Sequence, residues 1–525
     1  MFESAEIGHK VGKKTFKETV PELRSALLDA QFELDAQKKS SVIVLISGQD
    51  GSGKSESLNL LYEWMDPRFL TTLAFDTPTD EERERPVMWR FWHSLPPKGR
   101  IGVLSGSWYS EPIKSRIEGS MSLSRLDARI DQINRFEAML ANEGALVLKF
   151  WLHLTREDQE ARFKRLEADP RSAWRVTPQH WESLKTYDAL QNVAGHVLRM
   201  TNTAWAPWTI VEAADDNYRS LTLGQTLLEA MRRKLEADAG DGNIEAPSIP
   251  PAAVHADARN VLSELDLDRA LGKDDYADEL AFWQGRLAEL VRDERFARRS
   301  LVCAFEGVDA AGKGGSIRRV AKAFDARMFH IVPIAAPSDE EAARPYLWRF
   351  WRHVPRRGKA TIFDRSWYGR VLVERVEKLC SEADWLRAYG EINDFEHDLA
   401  EAGVIVVKFW LQISKKEQLK RFKKRENVEF KRFKITAEDW RNRKKWKAYE
   451  AAICDMIDRT STGTVEWTLV EANDKRFARV KILRTICERV EAELGRDGEA
   501  AGEKTAKARP KARKKAAPAA RRAKL

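Results

Sequence analysis

Two glycine-rich segments ending in lysine have the composition of a phosphate cradle. One is Gly307-Val308-Asp309-Ala310-Ala311-Gly312-Lys313-Gly314. The other, Gly48-Gln49-Asp50-Gly51-Ser52-Gly53-Lys54-Ser55, lies 259 residues earlier. Glycines let backbone N–H groups turn inward around anion oxygens, and the lysine bridges phosphates at the mouth of the next helix. A glycine turn with a surface lysine would give the same letters, so the context must decide. Downstream of the later loop stands Phe363-Asp364-Arg365-Ser366-Trp367-Tyr368; at the same offset the earlier copy reads Leu104-Ser105-Gly106-Ser107-Trp108-Tyr109. A carboxylate at a strand end, one strand from a phosphate loop, suits a hard cation held through oxygen ligands. Asp364 is such a carboxylate; Ser105 is not, and Gly106 replaces Arg365. A loop without its metal-holding acid can bind anions but is poorly equipped to move a phosphoryl group. The chemistry is therefore assigned to the second copy. Gly307, Gly312 and Gly314 shape its cradle, Lys313 neutralises phosphate, and Arg365 and Arg370 are candidate bidentate clamps. Gly314 stands where many such loops carry Ser or Thr for magnesium, so Asp309 is the candidate for metal-directed or acceptor-directed charge. The first copy keeps Asp50 and Lys54, which fits a structural or anion-binding role.

These residues need strands and helices to place them. Ser41 to Ser47 and Ser300 to Phe305 are short apolar runs ending at the loops, the pattern of a buried parallel strand. Lys98 to Leu104 and Lys359 to Phe363 are expected to form a second strand, Ala145 to Leu154 and Val404 to Ile413 a third, and Thr209 to Val211 and Thr468 to Val470 a fourth. Polar-apolar periodic stretches separate them, and the later loop should open a helix at Gly315. Alternating strands and helices imply a parallel sheet covered on both faces. The repeat extends well beyond the loops: Trp89-Arg90-Phe91-Trp92 matches Trp348-Arg349-Phe350-Trp351, and Lys149-Phe150-Trp151-Leu152 matches Lys408-Phe409-Trp410-Leu411. The expected organisation is a degenerate domain over 1–238, a Gly-, Pro- and Ala-rich linker over 239–258, a catalytic domain over 259–496 and a basic disordered tail over 497–525.

Arg421 to Lys434 holds seven Lys or Arg against Glu426 and Glu429. Such a run is usually a solvated helix face. Following the third strand, it is expected to act as a basic lid that closes over phosphates and excludes water. Trp348, Trp351, Trp367 and Trp410 are expected in the core.

The bulk numbers set limits. The chain has 525 residues, 43% hydrophobic and 33% charged. No apolar run reaches the roughly 18 residues that a membrane span needs, and no secretory signal is visible at the N-terminus. The four cysteines (Cys303, Cys380, Cys454 and Cys487) are scattered and read as buried thiols in a reducing cytoplasm. The formal charge of +9 is local: residues 504–525 carry ten Lys or Arg and no acid, and removing them leaves −1. The folded body is nearly neutral. The tail is expected to be disordered, as a solubilising extension or a non-specific tether for polyphosphate or nucleic acid.

The motifs G-x-D-x-x-G-K-G, D-R-S-W-Y and K-F-W-L together resemble the polyphosphate kinase 2 family, in its tandem two-domain class. The resemblance covers residues from about 10 to 495. It implies an α/β fold of two tandem P-loop, thymidylate-kinase-like three-layer domains with parallel sheets and a helical lid. It also implies cytoplasmic, magnesium-dependent transfer from inorganic polyphosphate to AMP giving ADP, with manganese as a substitute metal, in a homo-oligomer. Carried over, Asp309, Lys313, Asp364 and Arg365 are catalytic, Asp309 and Asp364 hold metal, and Lys424 and Arg425 act from the lid. Two other kinases stay open, one using polyphosphate to phosphorylate ADP or GDP and one using ATP on the same fold. A non-enzymatic polyanion binder is the third reading, and the intact Asp309, Lys313 and Asp364 argue against it.

Overall fold

The structure is a computed structural model and describes residues 2–240, 260–428 and 435–507, with side chains to Arg496. The expected linker and the tail beyond Lys507 lie almost wholly outside these residues, as does the lid segment 429–434.

Each half builds a five-stranded, all-parallel sheet. The strands of the first are β1 (Val42–Gly48), β2 (Leu70–Ala74), β3 (Ile101–Ser105), β4 (Leu146–His153) and β5 (Trp208–Glu212), in the order β2-β3-β1-β4-β5. The second uses β6 (Ser300–Gly307), β7 (Phe329–Pro333), β8 (Ala360–Asp364), β9 (Val404–Gln412) and β10 (Trp467–Glu471), in the equivalent order β7-β8-β6-β9-β10. The central strands are mostly apolar because helices cover both faces. Val42 to Ile46 of β1 and Leu301 to Phe305 of β6 are all buried.

Four strand pairs fall where the sequence places them. The fifth pair, β2 and β7, escapes sequence reading. Each is a short edge strand paired on one side only, and each buries a single residue, Leu70 or Val332. Neither edge strand has the continuous apolar run of a central one.

The first core joins β1, β3 and β4 to the helices Lys13–Gln37 and Asp216–Ala239 through Leu27, Leu34, Leu223 and Leu227. The second joins β6, β8 and β9 to Lys273–Leu290, Lys313–Ala321 and Lys475–Lys507 through Leu287, Val320, Ile482 and Ile486. Full burial of each such side chain contributes roughly 1.5–3 kcal/mol. The last helix runs to Lys507, so the first residues of the expected tail continue it.

The compact units are not the two sequence halves. Ile334–Val354 and Gly369–Asp398, from the second repeat, cluster with the first-half sheet; the other unit holds β6 to β10 and the C-terminal helix. Within the first unit, Trp92 stacks on Trp351 with ring centroids 5.6 Å apart, and Gln132 donates to Asp398 at 2.6 Å. All four tryptophans expected in the core are buried. The cysteines are free thiols, but only Cys303 and Cys487 are buried; Cys380 and Cys454 are half-exposed. No helix among the described residues is long and apolar enough to cross a membrane.

Candidate active site

The second copy's site grows from the ends of β6 and β8. Gly307 closes β6 with φ +151°, and a Cβ there would sit 2.6 Å from the Leu411 carbonyl of the neighbouring strand, so the close approach requires glycine. The loop then turns into the helix Lys313–Ala321, which begins two residues earlier than expected. Its N-terminal N–H groups and partial positive charge face the loop mouth. Lys313 Nζ donates to the Gly307 carbonyl at 2.7 Å, drawn over the cradle.

The register pairs Phe305 with Asp364, which brings the D-R-S turn alongside the loop. Asp364 ends β8, and a Cβ on Gly314 would lie 3.8 Å from its Oδ2. Among the described residues its carboxylate has no hydrogen bond or ion pair. Asp309 Oδ2 accepts from Asn442 Nδ2 at 2.9 Å, and its Oδ1 pairs with Arg365 at 3.4 Å. The structure thus gathers Asp309, Lys313, Asp364 and Arg365 with Gly307, Gly312 and Gly314.

This donor set fits magnesium. An uncommitted carboxylate and a second one beside a phosphate cradle are what that ion uses when substrate phosphates and waters complete its shell. No group of three His, Cys, Asp or Glu side chains forms a metal cage among the described residues.

Several working residues are invisible to motif reading. Glu306, buried at the end of β6, accepts from the Ser366 N–H at 2.7 Å and from its hydroxyl at 2.9 Å. Burial raises its carboxyl above the usual range, with Lys313, Ser366 and Arg365 pulling the other way. These bonds clamp the turn in which Arg365 adopts φ +67°, a left-handed conformation unfavourable for a side chain. The first copy makes the same turn with Gly106 at φ +77°, and has Ser47 in place of Glu306. The signal was available: an acid at the end of an apolar strand in one copy only.

Two arginines of the expected lid and clamp have protein partners. Arg421, the first lid cation, is buried. It donates to the carbonyls of Ala310, Ala311, Ala472 and Asn473 at 2.7–3.0 Å, bracing the loop against β10. Arg370 pairs with Glu374 at 2.7 Å and Glu143 at 3.5 Å, lies over the Tyr346 ring and clusters with the other compact unit. Its charge is committed to acids of its own unit. Lys424 is exposed and Arg425 half-buried on the helix Lys415–Glu426.

The first copy's loop lysine makes the equivalent carbonyl contact and two more. Lys54 donates to the Gly48 and Gln49 carbonyls at 2.9 and 2.8 Å and faces Asp50 at 3.5 Å. Burial lowers its ammonium below the usual range, with Asp50 opposing. The carbonyls of Ser52 and Ala213 are met by Arg219, whose guanidinium packs against Gly53.

Comparisons with known proteins agree with this geometry. The family model described as Polyphosphate kinase 2 matches residues 10–239 and 270–497. A Pseudomonas aeruginosa protein named polyphosphate:AMP phosphotransferase is 55% identical over 95% of this chain and 100% of its own length. One of the same name from Pseudomonas syringae pv. tomato is 54% identical over 95% of this chain and 99% of its own. A crystal structure from Pseudomonas aeruginosa, titled as a polyphosphate kinase 2, superposes with a TM-score of 0.85 at 53% identity, covering 94% of this chain and 99% of that one. Two matched copies, full-length relatives and one shared architecture give a single conclusion: the chain belongs to the polyphosphate kinase 2 family.

Proposed function

We propose that this protein is a polyphosphate:AMP phosphotransferase whose second copy moves the terminal phosphoryl group of inorganic polyphosphate onto AMP, yielding ADP and a chain one phosphate shorter. The observation that carries the reading is the full-length similarity to enzymes of that name, in a chain whose second copy retains Asp309, Lys313, Asp364 and Arg365.

The reaction needs positioning and charge neutralisation more than covalent catalysis. An oxygen of the AMP phosphate attacks the terminal phosphorus as the phosphoanhydride bond to the next phosphate breaks. Lys313 and the loop N–H groups hold the transferring phosphate and offset the charge that spreads over its oxygens. Arg365, paired with Asp309, offsets the same charge. Asn442 fixes the Asp309 carboxylate, which orients the acceptor oxygen. Asp364 and Asp309 would hold magnesium, which when bound neutralises phosphate charge and aligns the oxygens. The helix carrying Lys424 and Arg425 shields the site from water.

The test is a donor-acceptor matrix with purified protein and magnesium. Polyphosphate with AMP should give ADP. ADP formation that depends on an added nucleoside triphosphate would favour an ATP-dependent kinase instead.

A further inference from the structure

One helix meets the phosphate loop differently in the two copies. In the second copy it is Ala437–Lys444; in the first it is Pro178–Lys185. Each is held by an aromatic contact to the helix Lys415–Glu426 or Arg156–Ala168. Phe422 meets Trp440 with ring centroids 5.1 Å apart, and Phe163 meets Trp181 at 5.5 Å. The polar contacts differ. Asn442 donates to Asp309 Oδ2 at 2.9 Å. Its own side-chain oxygen accepts from the Tyr449 hydroxyl at 3.3 Å, which turns the amide N–H toward the carboxylate. Arg443 donates to the Lys415 carbonyl at 2.7 Å and to Gln418 Oε1 at 3.0 Å. Gln418 donates in turn to the Asp309 main-chain carbonyl at 3.1 Å. Two adjacent residues of one helix thus hold Asp309, one through its side chain and one through its backbone.

Of these polar contacts the first copy keeps only the one from glutamine. Ser183, Leu184 and Leu190 stand where the second copy has Asn442, Arg443 and Tyr449. Ser183 turns to the His180 carbonyl of its own helix, at 2.8 Å. Gln159 still donates to the Asp50 carbonyl at 2.9 Å. Its buried Oε1, the atom that meets Arg443 in the second copy, has no hydrogen-bond partner among the described residues. The difference shows in the loop acid itself: the Asp50 side chain is 48% exposed and that of Asp309 12%. Arg365 on Oδ1 and Asn442 on Oδ2, both missing from the first copy, together cover it.

We propose that Asn442 and Arg443 are positioning residues that seat this helix on the phosphate loop and keep Asp309 covered, so that the phosphoryl group passes to AMP and not to water. This rests on the polyphosphate reading above and deepens it. A carboxylate with a free oxygen beside a bound phosphate chain can take a proton from water. Transfer to water forms a bond from the water oxygen to the terminal phosphorus, breaks the same phosphoanhydride bond and releases orthophosphate, and the water proton passes to Asp309 Oδ2. The Asn442 amide occupies that oxygen with a donor, and the seated helix limits the entry of water.

The test uses the full-length protein with long-chain polyphosphate, AMP and magnesium, and measures ADP and orthophosphate in the same reaction. Asn442→Ser and Arg443→Leu install the first copy's residues. Each should raise the ratio of orthophosphate to ADP about tenfold, the effect of one hydrogen bond to a charged group, while the KM for polyphosphate stays within about twofold. Arg443→Lys, which keeps a donor, should recover part of the wild-type ratio. Without substrates, hydrogen exchange over residues 437–444 should be about tenfold faster in both variants, because the helix opens locally more often. Unchanged exchange in β6 shows that the fold is intact. A wild-type ratio of orthophosphate to ADP in both variants overturns the proposal, even where ADP forms more slowly. So does unchanged exchange over 437–444. A wild-type protein that makes no ADP from polyphosphate overturns the underlying reading instead, and the exchange measurement still reads the seat.

Discussion

At the residue scale, Asp364 is the difference between the copies that matters most for chemistry. Its carboxylate is uncommitted beside the loop, and the first copy has Ser105 there. Asp364→Asn keeps the shape and removes the charge. In steady-state assays with polyphosphate and AMP it should lower kcat by a factor on the order of 10² or more. Lys54→Ala should cost far less, because the loop of its copy lies beside Ser105 and Gly106, where the second copy has Asp364 and Arg365. Comparable losses would sink the assignment of catalysis to the second copy. A different residue-scale effect sits in the K-F-W-L motif. Lys149 is fully buried and donates to Glu137 at 2.7 Å, Tyr109 at 3.1 Å and the Thr201 carbonyl at 2.7 Å. Lys408 repeats the bonds to Tyr368 and the Thr460 carbonyl. These lysines are struts, not phosphate ligands. Lys149→Ala should destabilise the first unit by about 3–5 kcal/mol, since it strands Glu137 without a counter-charge. Lys149→Met with Glu137→Gln should recover part of that loss in a denaturant titration.

At the element scale, the turn after β8 and the turn after β3 are one device used in two ways. In the first copy glycine occupies the left-handed position at no steric cost; in the second, Arg365 occupies it under the clamp of Glu306. Arg365→Gly should therefore leave Tm unchanged or higher while turnover falls. Glu306→Ser should lower Tm in the wild-type background and lower it less in the Arg365→Gly background, with a coupling of about 1 kcal/mol. Equal costs in both backgrounds would show that Glu306 does not serve the turn. The helix Glu382–Glu401 gives a pH-dependent counterpart. Burial lifts the Glu391 carboxyl to about 7 and that of Asp398 to about 6, with Arg387 opposing the first and Gln132 the second. Both folded values lie above the unfolded ones, so each group binds its proton more tightly in the folded state. Stability from these groups is present at low pH and is lost as pH rises through about 6 to 7. Glu391→Gln and Asp398→Asn should raise Tm at pH 8 and flatten the fall in Tm between pH 5 and pH 8. A fall as steep as in the wild type would rule these groups out as its source.

At the scale of the whole molecule, duplication let one copy keep the chemistry while the other gave up several parts of it together. Ser47, Ser105 and Gly106 remove the clamp, the acid and the arginine, and Asp216 and Glu56 neutralise the arginine charge flanking the first copy's loop. Repairing only the motif should therefore fail. In an Asp364→Asn background, Ser47→Glu with Ser105→Asp and Gly106→Arg in the first copy should leave turnover at the background level. Activity regained by those three changes would show that the flanking charge is irrelevant. The compact units add a constraint that the repeat alone does not show, since helices of the second copy fold into the first unit. Separating the halves at the linker would expose the faces of Trp92 and Trp351, which now stack within that unit.

The sequence by itself determined the duplication, the parallel α/β class, the two phosphate loops and the copy with the acid. Those follow from local rules: apolar runs ending at glycine loops, and residue identities compared at a fixed offset. Tertiary structure alone decided which charges stay available. Arg421 reads like a lid cation and Arg370 like a phosphate clamp along the chain, yet folding places backbone carbonyls around one and acids around the other. Lys475 reads like any surface lysine, yet folding sets it beside Arg421 and Arg479. It also decided the edge strands β2 and β7, which owe their pairing to β3 and β8 and not to their own composition. The physical reason is the same in each case. A charge or a half-buried strand takes its meaning from partners distant in sequence, and neither periodicity nor spacing records them.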